Sequence, residues 1–200
     1  MPKLYSKFLS IVILLSLSLA VVAQDKTQPS ILKADSTWRT EIIPFPIDWL
    51  PKLTLKGFEE LRFSPNWSDP EHDGFWTLAM AWQVETNSEI SLQDLEFNLH
   101  HYFDALMHPN HWAQEFPAPK LILNALEMRD SNAPIIKGQL TFFDGLHTGK
   151  VMTVNILGDQ TLCEATGRSV ILFRISPKGY DEPIWDTLNA ITINDDGCED

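Results

Sequence analysis

Basic residues are scarce in this chain: 15 Lys and Arg stand against 27 Asp and Glu, for a net charge of −12, and the basic ones form no run or stripe. A polyanion gains affinity by releasing counterions to clustered Lys and Arg, so nucleic acid is excluded as a partner and an anionic membrane surface is disfavoured. The nine glycines are dispersed, which rules out a phosphate loop or a dinucleotide fingerprint. No GxSxG elbow surrounds Ser64, Ser68, Ser131 or Ser176, no HExxH pattern occurs, and there is no internal repeat. Nothing in the sequence calls for a cofactor. Cysteine is also rare. Only Cys163 and Cys198 occur; Cys163 has no His beside it and Cys198 stands near the end, an arrangement unlike that of a catalytic thiol.

The one long apolar run, Phe8 to Ala20, is too short and too weakly flanked for a lasting membrane span. With Lys3 and Lys7 before it and Val21-Val22-Ala23 after it, residues 1–23 read as a signal peptide cut between Ala23 and Gln24. No cysteine lies near that point to carry a lipid anchor. The expectation is an exported protein, periplasmic or secreted, and not an integral membrane protein once processed. Removing residues 1–23, which hold two lysines and no acid, takes the net charge to −14. In an exported chain an even cysteine count makes Cys163 and Cys198 candidates for a disulfide, the alternative being two unrelated thiols.

Residues 24–37 are polar and lack periodicity, and read as a disordered leader before one domain over 38–200. Seven Trp and eleven Phe supply apolar area for a core that needs neither metal nor disulfide. Strand patterns are expected over 38–43, 59–63, 75–84, 121–127, 135–143, 151–157 and 169–175. Leu92, Leu95, Leu99, Tyr102, Phe103 and Leu106 recur at three- and four-residue spacing and predict an amphipathic helix over about 91–108, capped by Ser91 with Asp94 and stopped by Pro109. A short C-terminal helix is expected over 184–191 after Pro183. The order predicts an α+β fold, with two helices packed on a largely antiparallel sheet.

The opening Trp38-Arg39-x-Glu41 and Phe45-Pro46, the run from Gly57 to Trp67 (GFEELRFSPNW), Phe75-Trp76, Tyr102-Phe103-x-Ala105-Leu106, and Phe173-Arg174-Ile175-Ser176-Pro177 carry a resemblance. On these residues most of the chain resembles an uncharacterised family of exported bacterial proteins, in which Gly often stands at the positions of Asn66 and Ala105. That resemblance implies export and brings no activity with it. A looser likeness is to the Mog1/PsbP-type α+β sandwich.

The leading candidate site is Glu59 and Glu60 with Arg62. On a strand Glu60 and Arg62 share one face and Glu59 takes the other, so Glu60 and Arg62 make either an ion pair or a polar binding point. A buried carboxylate there is also a candidate general acid. Trp67, Phe75 and Trp76 supply aromatic surface for a sugar ring or an apolar pocket. His101, Asp104 and His108, at i, i+3 and i+7 with His111 beyond, are a weaker candidate metal set; His72, His100 and His147 read as structural or solvent-facing.

The reading that follows is a non-enzymatic binding or accessory protein of the bacterial envelope, using Glu60, Arg62, Trp67 and Trp76. Its partner would be a small molecule, a glycan or an envelope protein. The alternatives are a hydrolase-type enzyme working through Glu59 or Glu60, and a structural or assembly protein.

Overall fold

The computed structural model describes residues 28–108, 116–126, 135–194 and 198. The signal segment, its cleavage point, residues 24–27 and His111 lie outside these.

Seven strands form one antiparallel sheet: β2 (Arg39–Phe45), β3 (Gly57–Phe63), β4 (Leu78–Glu85), β5 (Lys120–Leu126), β6 (Ile135–Asp144), β7 (Lys150–Cys163) and β8 (Arg168–Ser176). Their spatial order is β2-β3-β4-β8-β7-β6-β5. The outer strands are hairpin neighbours, and the β4–β8 ladder, with Ala81 opposite Leu172, joins the two halves. Two-residue strands β1 (Leu32–Lys33) and β9 (Thr192–Ile193) pair separately.

Helix α1 (Leu92–Met107) crosses between the two halves after β4 and packs on β5 and β6. Its boundaries lie one residue inside the expected 91–108 at each end, because Ser91 and His108 are the caps rather than the first and last turns. The Ser91 hydroxyl accepts from the Asp94 N–H at 3.1 Å and donates to the Asp94 carboxylate at 2.6 Å, which satisfies a donor the helix leaves orphaned. The predicted stripe turns inward, with Leu95, Leu99, Tyr102 and Phe103 buried. Each such side chain contributes roughly 1.5–3 kcal/mol by leaving water.

The centre of the sheet is covered on both sides. On the α1 face, Leu61, Met80, Trp82, Leu140, Ile156 and Phe173 meet the helix and the Ile47–Leu53 segment. On the other, Ala79, Ala81, Val170 and Leu172 meet α2 (Ile184–Asn189), the N-terminal segment and the Cys163–Cys198 region. Arg174 fixes α2: its guanidinium donates to the carbonyls of Leu188 and Ile191 at 3.1 and 2.9 Å and to Asp159 at 2.7 Å. Cationic donors at a helix C-terminus satisfy carbonyls that have no partner in the helix. Helix α2 stops at Asn189, short of the expected 191, and Ile191 is buried just beyond it.

Cys163 and Cys198 form a disulfide, with Cα atoms 5.3 Å apart at a sequence separation of 35. No helix among the described residues is long and apolar enough to cross a membrane.

One expectation is corrected. Residues 28–37 belong to the folded body and not to a disordered leader: Ile31 and Leu32 are buried, and β1 pairs with β9 through Leu32 opposite Ile193. The polar composition of the segment hid this, because its anchor is a carboxylate far away in sequence.

Candidate functional site

That carboxylate is Glu60. Strand alternation places Glu60 and Arg62 on the α2 face and Glu59, Leu61 and Phe63 on the α1 face, as the two-residue period requires. Glu60 is fully buried and accepts from the Ile31 and Leu32 N–H groups at 2.6 and 3.2 Å, from the Ser30 hydroxyl at 2.9 Å and from Arg62 Nε at 2.7 Å. Arg62 also donates to Ser30 Oγ at 2.8 Å and to the Thr40 hydroxyl. A buried charge persists when it is paired and its lone pairs are filled. The pair therefore clamps residues 30–32 onto the sheet, and the donors around Glu60 occupy the positions a ligand or substrate would need.

Glu59 has a different environment. It is fully buried opposite Trp82 and Ile43, with Trp82 Nε1 donating at 3.2 Å and Tyr102 Oη at 2.9 Å, and no ion pair forms at it among the described residues. Burial pushes its carboxyl up to about 7; the two hydrogen bonds oppose that shift, and the charge of Glu41 adds to it. Burial, followed by the neighbouring Glu59 charge, raises the Tyr102 phenol well above its ordinary range.

Tyr102 also lines a cavity of about 450 Å³ that lies between α1 and strands β2, β3 and β4 and opens to solvent. The volume falls within the range of small-molecule sites. Its inner wall is apolar, built from Leu61, Phe63, Leu78, Met80, Phe103 and Leu106. Arg39, Glu41 and Trp49 are its exposed lining residues and mark the mouth. Arg39 lies over the rings of Phe63 and Trp67 at 4.9 and 5.8 Å and reaches Glu41 only at 4.0 Å, with both side chains about half exposed or more.

The loop between β3 and β4 supplies the remaining wall. The Ser64 N–H donates to the Thr77 carbonyl at 3.0 Å, the Ser64 hydroxyl to the Gly74 carbonyl at 2.6 Å and the Trp76 N–H to the Trp67 carbonyl at 2.9 Å. A Cβ at Gly74 would stand 2.5 Å from the Pro65 carbonyl oxygen, so the closure requires glycine there. Asn66 takes φ 62°, a left-handed conformation that Asn tolerates and Gly adopts freely.

Trp76 is also left-handed, with φ 48°, which for a bulky residue costs on the order of 1–3 kcal/mol. This turn holds residues 75–77 out of the ladder, so β4 begins at Leu78 and not at the expected Phe75. It seats the Trp76 ring against Trp67, Phe103 and Phe142. Trp76 is 2 % exposed and lines the cavity, yet its indole N–H has no partner among the described residues. A buried donor left unpaired costs about 1–3 kcal/mol.

His147 packs edge-on to Trp67 at 4.7 Å, and burial lowers its pKa. Its turn is held by Asp144, which accepts from the N–H groups of Leu146, His147 and Thr148.

The four residues expected to share a binding face thus divide in two. Trp67 and Trp76 meet at the cavity; Glu60 and Arg62 lie on the opposite side of the sheet, because side chains one residue apart on β3 point in opposite directions. The described members of the candidate metal set, His101, Asp104 and His108, do not come together as a site. His101 Nδ1 donates to the Phe97 carbonyl at 2.7 Å, and His108 is the exposed helix cap. Among the described residues no three His, Cys, Asp or Glu side chains are arranged to hold a metal ion.

Tyr102, Arg39, Glu41, Trp49 and Leu146 were missed as cavity residues. A β2–β3 hairpin register would have placed Arg39 and Glu41 beside Phe63 and Leu61, but the eleven-residue connection after Phe45 does not specify that register.

Compared with protein families, curated proteins and solved structures, the chain matches none of them.

Proposed function

We propose that this chain is a non-enzymatic binding protein of an exported compartment, and that it holds a small, mainly apolar molecule between α1 and the sheet. The observation that carries this reading is the cavity of about 450 Å³ with largely apolar walls between α1 and strands β2, β3 and β4. A well-formed apolar cavity with few polar groups is the usual form of a small-molecule site. The signal-like residues 1–23 and the Cys163–Cys198 disulfide support the exported setting.

The test is thermal unfolding with a panel of small alkyl and aryl compounds, on the wild type and on Ala105→Phe, which fills the cavity from α1. A ligand at one hundred times its dissociation constant adds about 2.7 kcal/mol, or several degrees at this length. The expected result is a shift in the wild type and none in the variant. No shift with any compound, or an equal shift in both proteins, overturns the reading.

A further inference from the structure

Resting on that reading of the cavity, we infer that Glu59 regulates it: the cavity takes up a neutral apolar ligand together with a proton on the Glu59 carboxylate, so that it fills in an acid medium and empties as the medium turns alkaline.

Glu59 lies one layer behind the cavity wall. Three residues of the lining flank it: Tyr102, which donates to its carboxylate at 2.9 Å; Ile43, its partner across the β2–β3 ladder; and Leu61, two residues along on the same face of β3. The carboxylate is fully buried, and its hydrogen-bond donors among the described residues are the Tyr102 hydroxyl and Trp82 Nε1, with no cation between them. Because the cavity opens to solvent, water reaches that wall when no ligand is bound, and a polarisable medium nearby lowers the cost of a buried charge. An apolar ligand replaces the water with a body of low dielectric. The ionised carboxylate then becomes costlier while the neutral acid is almost untouched. By reciprocity, ionisation weakens the ligand by the same factor by which the ligand weakens ionisation.

The groups around Glu59 set where this exchange falls and which way it runs. From α1 comes Tyr102, whose phenol burial keeps protonated; from β2 come Glu41, whose charge opposes ionisation, and Arg39, both exposed at the mouth. On this face β4 and β8 bring Trp82 and Phe173, and Asp48 and Lys52 of the 47–53 segment are exposed. The Glu59 carboxyl is pushed up to about 7, mainly by burial, so the exchange is centred near neutral pH. His147, packed on Trp67, also titrates near the lining, with burial lowering its pKa. Its charging in acid would weaken a neutral ligand, which is the opposite sign.

The experiment is calorimetric titration of the purified protein with octanol and with indole, neutral probes, at pH 6 and pH 8.5. The probe that binds is expected to bind about threefold or more tighter at pH 6, and near pH 7 its heat should vary with the ionisation enthalpy of the buffer, reporting proton uptake. Glu59→Gln, which mimics the protonated acid, should bind equally at both pH values and release no buffer-dependent heat. Tyr102→Phe removes a donor that favours the ionised form, so the midpoint of the pH dependence should move upward; this variant decides the matter if Glu59→Gln does not fold. Equal affinity at the two pH values, tighter binding at pH 8.5, a pH dependence that survives in Glu59→Gln, or an unmoved midpoint in Tyr102→Phe overturns the inference and leaves the cavity as a binding site. If neither probe binds at either pH, or Ala105→Phe binds them as the wild type does, the cavity reading itself fails and this inference fails with it.

Discussion

Tyr102 Oη donates to Glu59 Oε1 at 2.9 Å, so helix α1 and strand β3 meet over a single buried carboxylate with no ion pair of its own among the described residues. The arrangement couples the proton on Glu59 to the packing of the helix against the sheet. It also joins a cavity-lining residue to a group that titrates near neutral pH.

Glu59 should make the protein less stable as pH rises. Below about pH 4.5 the folded and unfolded chains both hold its proton, and its contribution is fully present. Between 4.5 and about 7 the unfolded chain releases the proton while the folded one keeps it, so stability falls by about 1.4 kcal/mol per pH unit and levels off above 7. Glu59→Gln removes this slope. Urea unfolding at pH 5 and pH 8 should show the variant gaining about 2–3 kcal/mol on the wild type between the two. Parallel pH profiles would refute the assignment.

Glu60→Ala should release the N-terminal segment. The substitution strands Arg62 and two buried N–H groups, at a cost of about 3–5 kcal/mol. Denaturant unfolding should report that loss, and amide exchange at Ile31 and Leu32 should accelerate well before the central strands exchange. Unchanged protection at those two amides would show that the clamp is not what holds the segment.

The two buried tryptophans of the α1 face should respond unequally to loss of the indole N–H. Trp82→Phe takes a donor from Glu59 and should cost about 2 kcal/mol or more at pH 8. Trp76→Phe removes an N–H that has no partner among the described residues, which offsets the lost ring volume, and the net change should stay within about 1 kcal/mol. Comparable losses from both would mean that the Trp76 N–H is satisfied in solution.

Period and capping were legible in the sequence. The leucine stripe and Ser91 with Asp94 located α1 to within a residue at each end, and alternation put Glu60 with Arg62 and apart from Glu59. What could not be read depends on distant partners. Ile31 and Leu32 are a lone apolar pair in a polar stretch, and only the arrival of Glu60 makes them core. Likewise, β7 runs to Cys163, well past the expected Leu157, because Gly158, Asp159 and Gln160 look like a turn until β8 pairs with them. Trp67 and Trp76 were singled out as aromatic surface, but the wall they complete needs Leu106 from the helix and Leu146 from the β6–β7 turn.

The sheet order also bears on how the chain finds its structure. Within the seven-stranded sheet, every ladder but one joins strands consecutive in sequence, so β2-β3-β4 and β5-β6-β7-β8 are each assembled by nearest-neighbour hairpins. The seam at Ala81 and Leu172 must close over the whole of α1, β5, β6 and β7. Loop-closure entropy grows only slowly with length, but non-local pairing is what slows folding. The seam therefore concentrates the long-range search of this topology in one ladder, between strands buried on both faces.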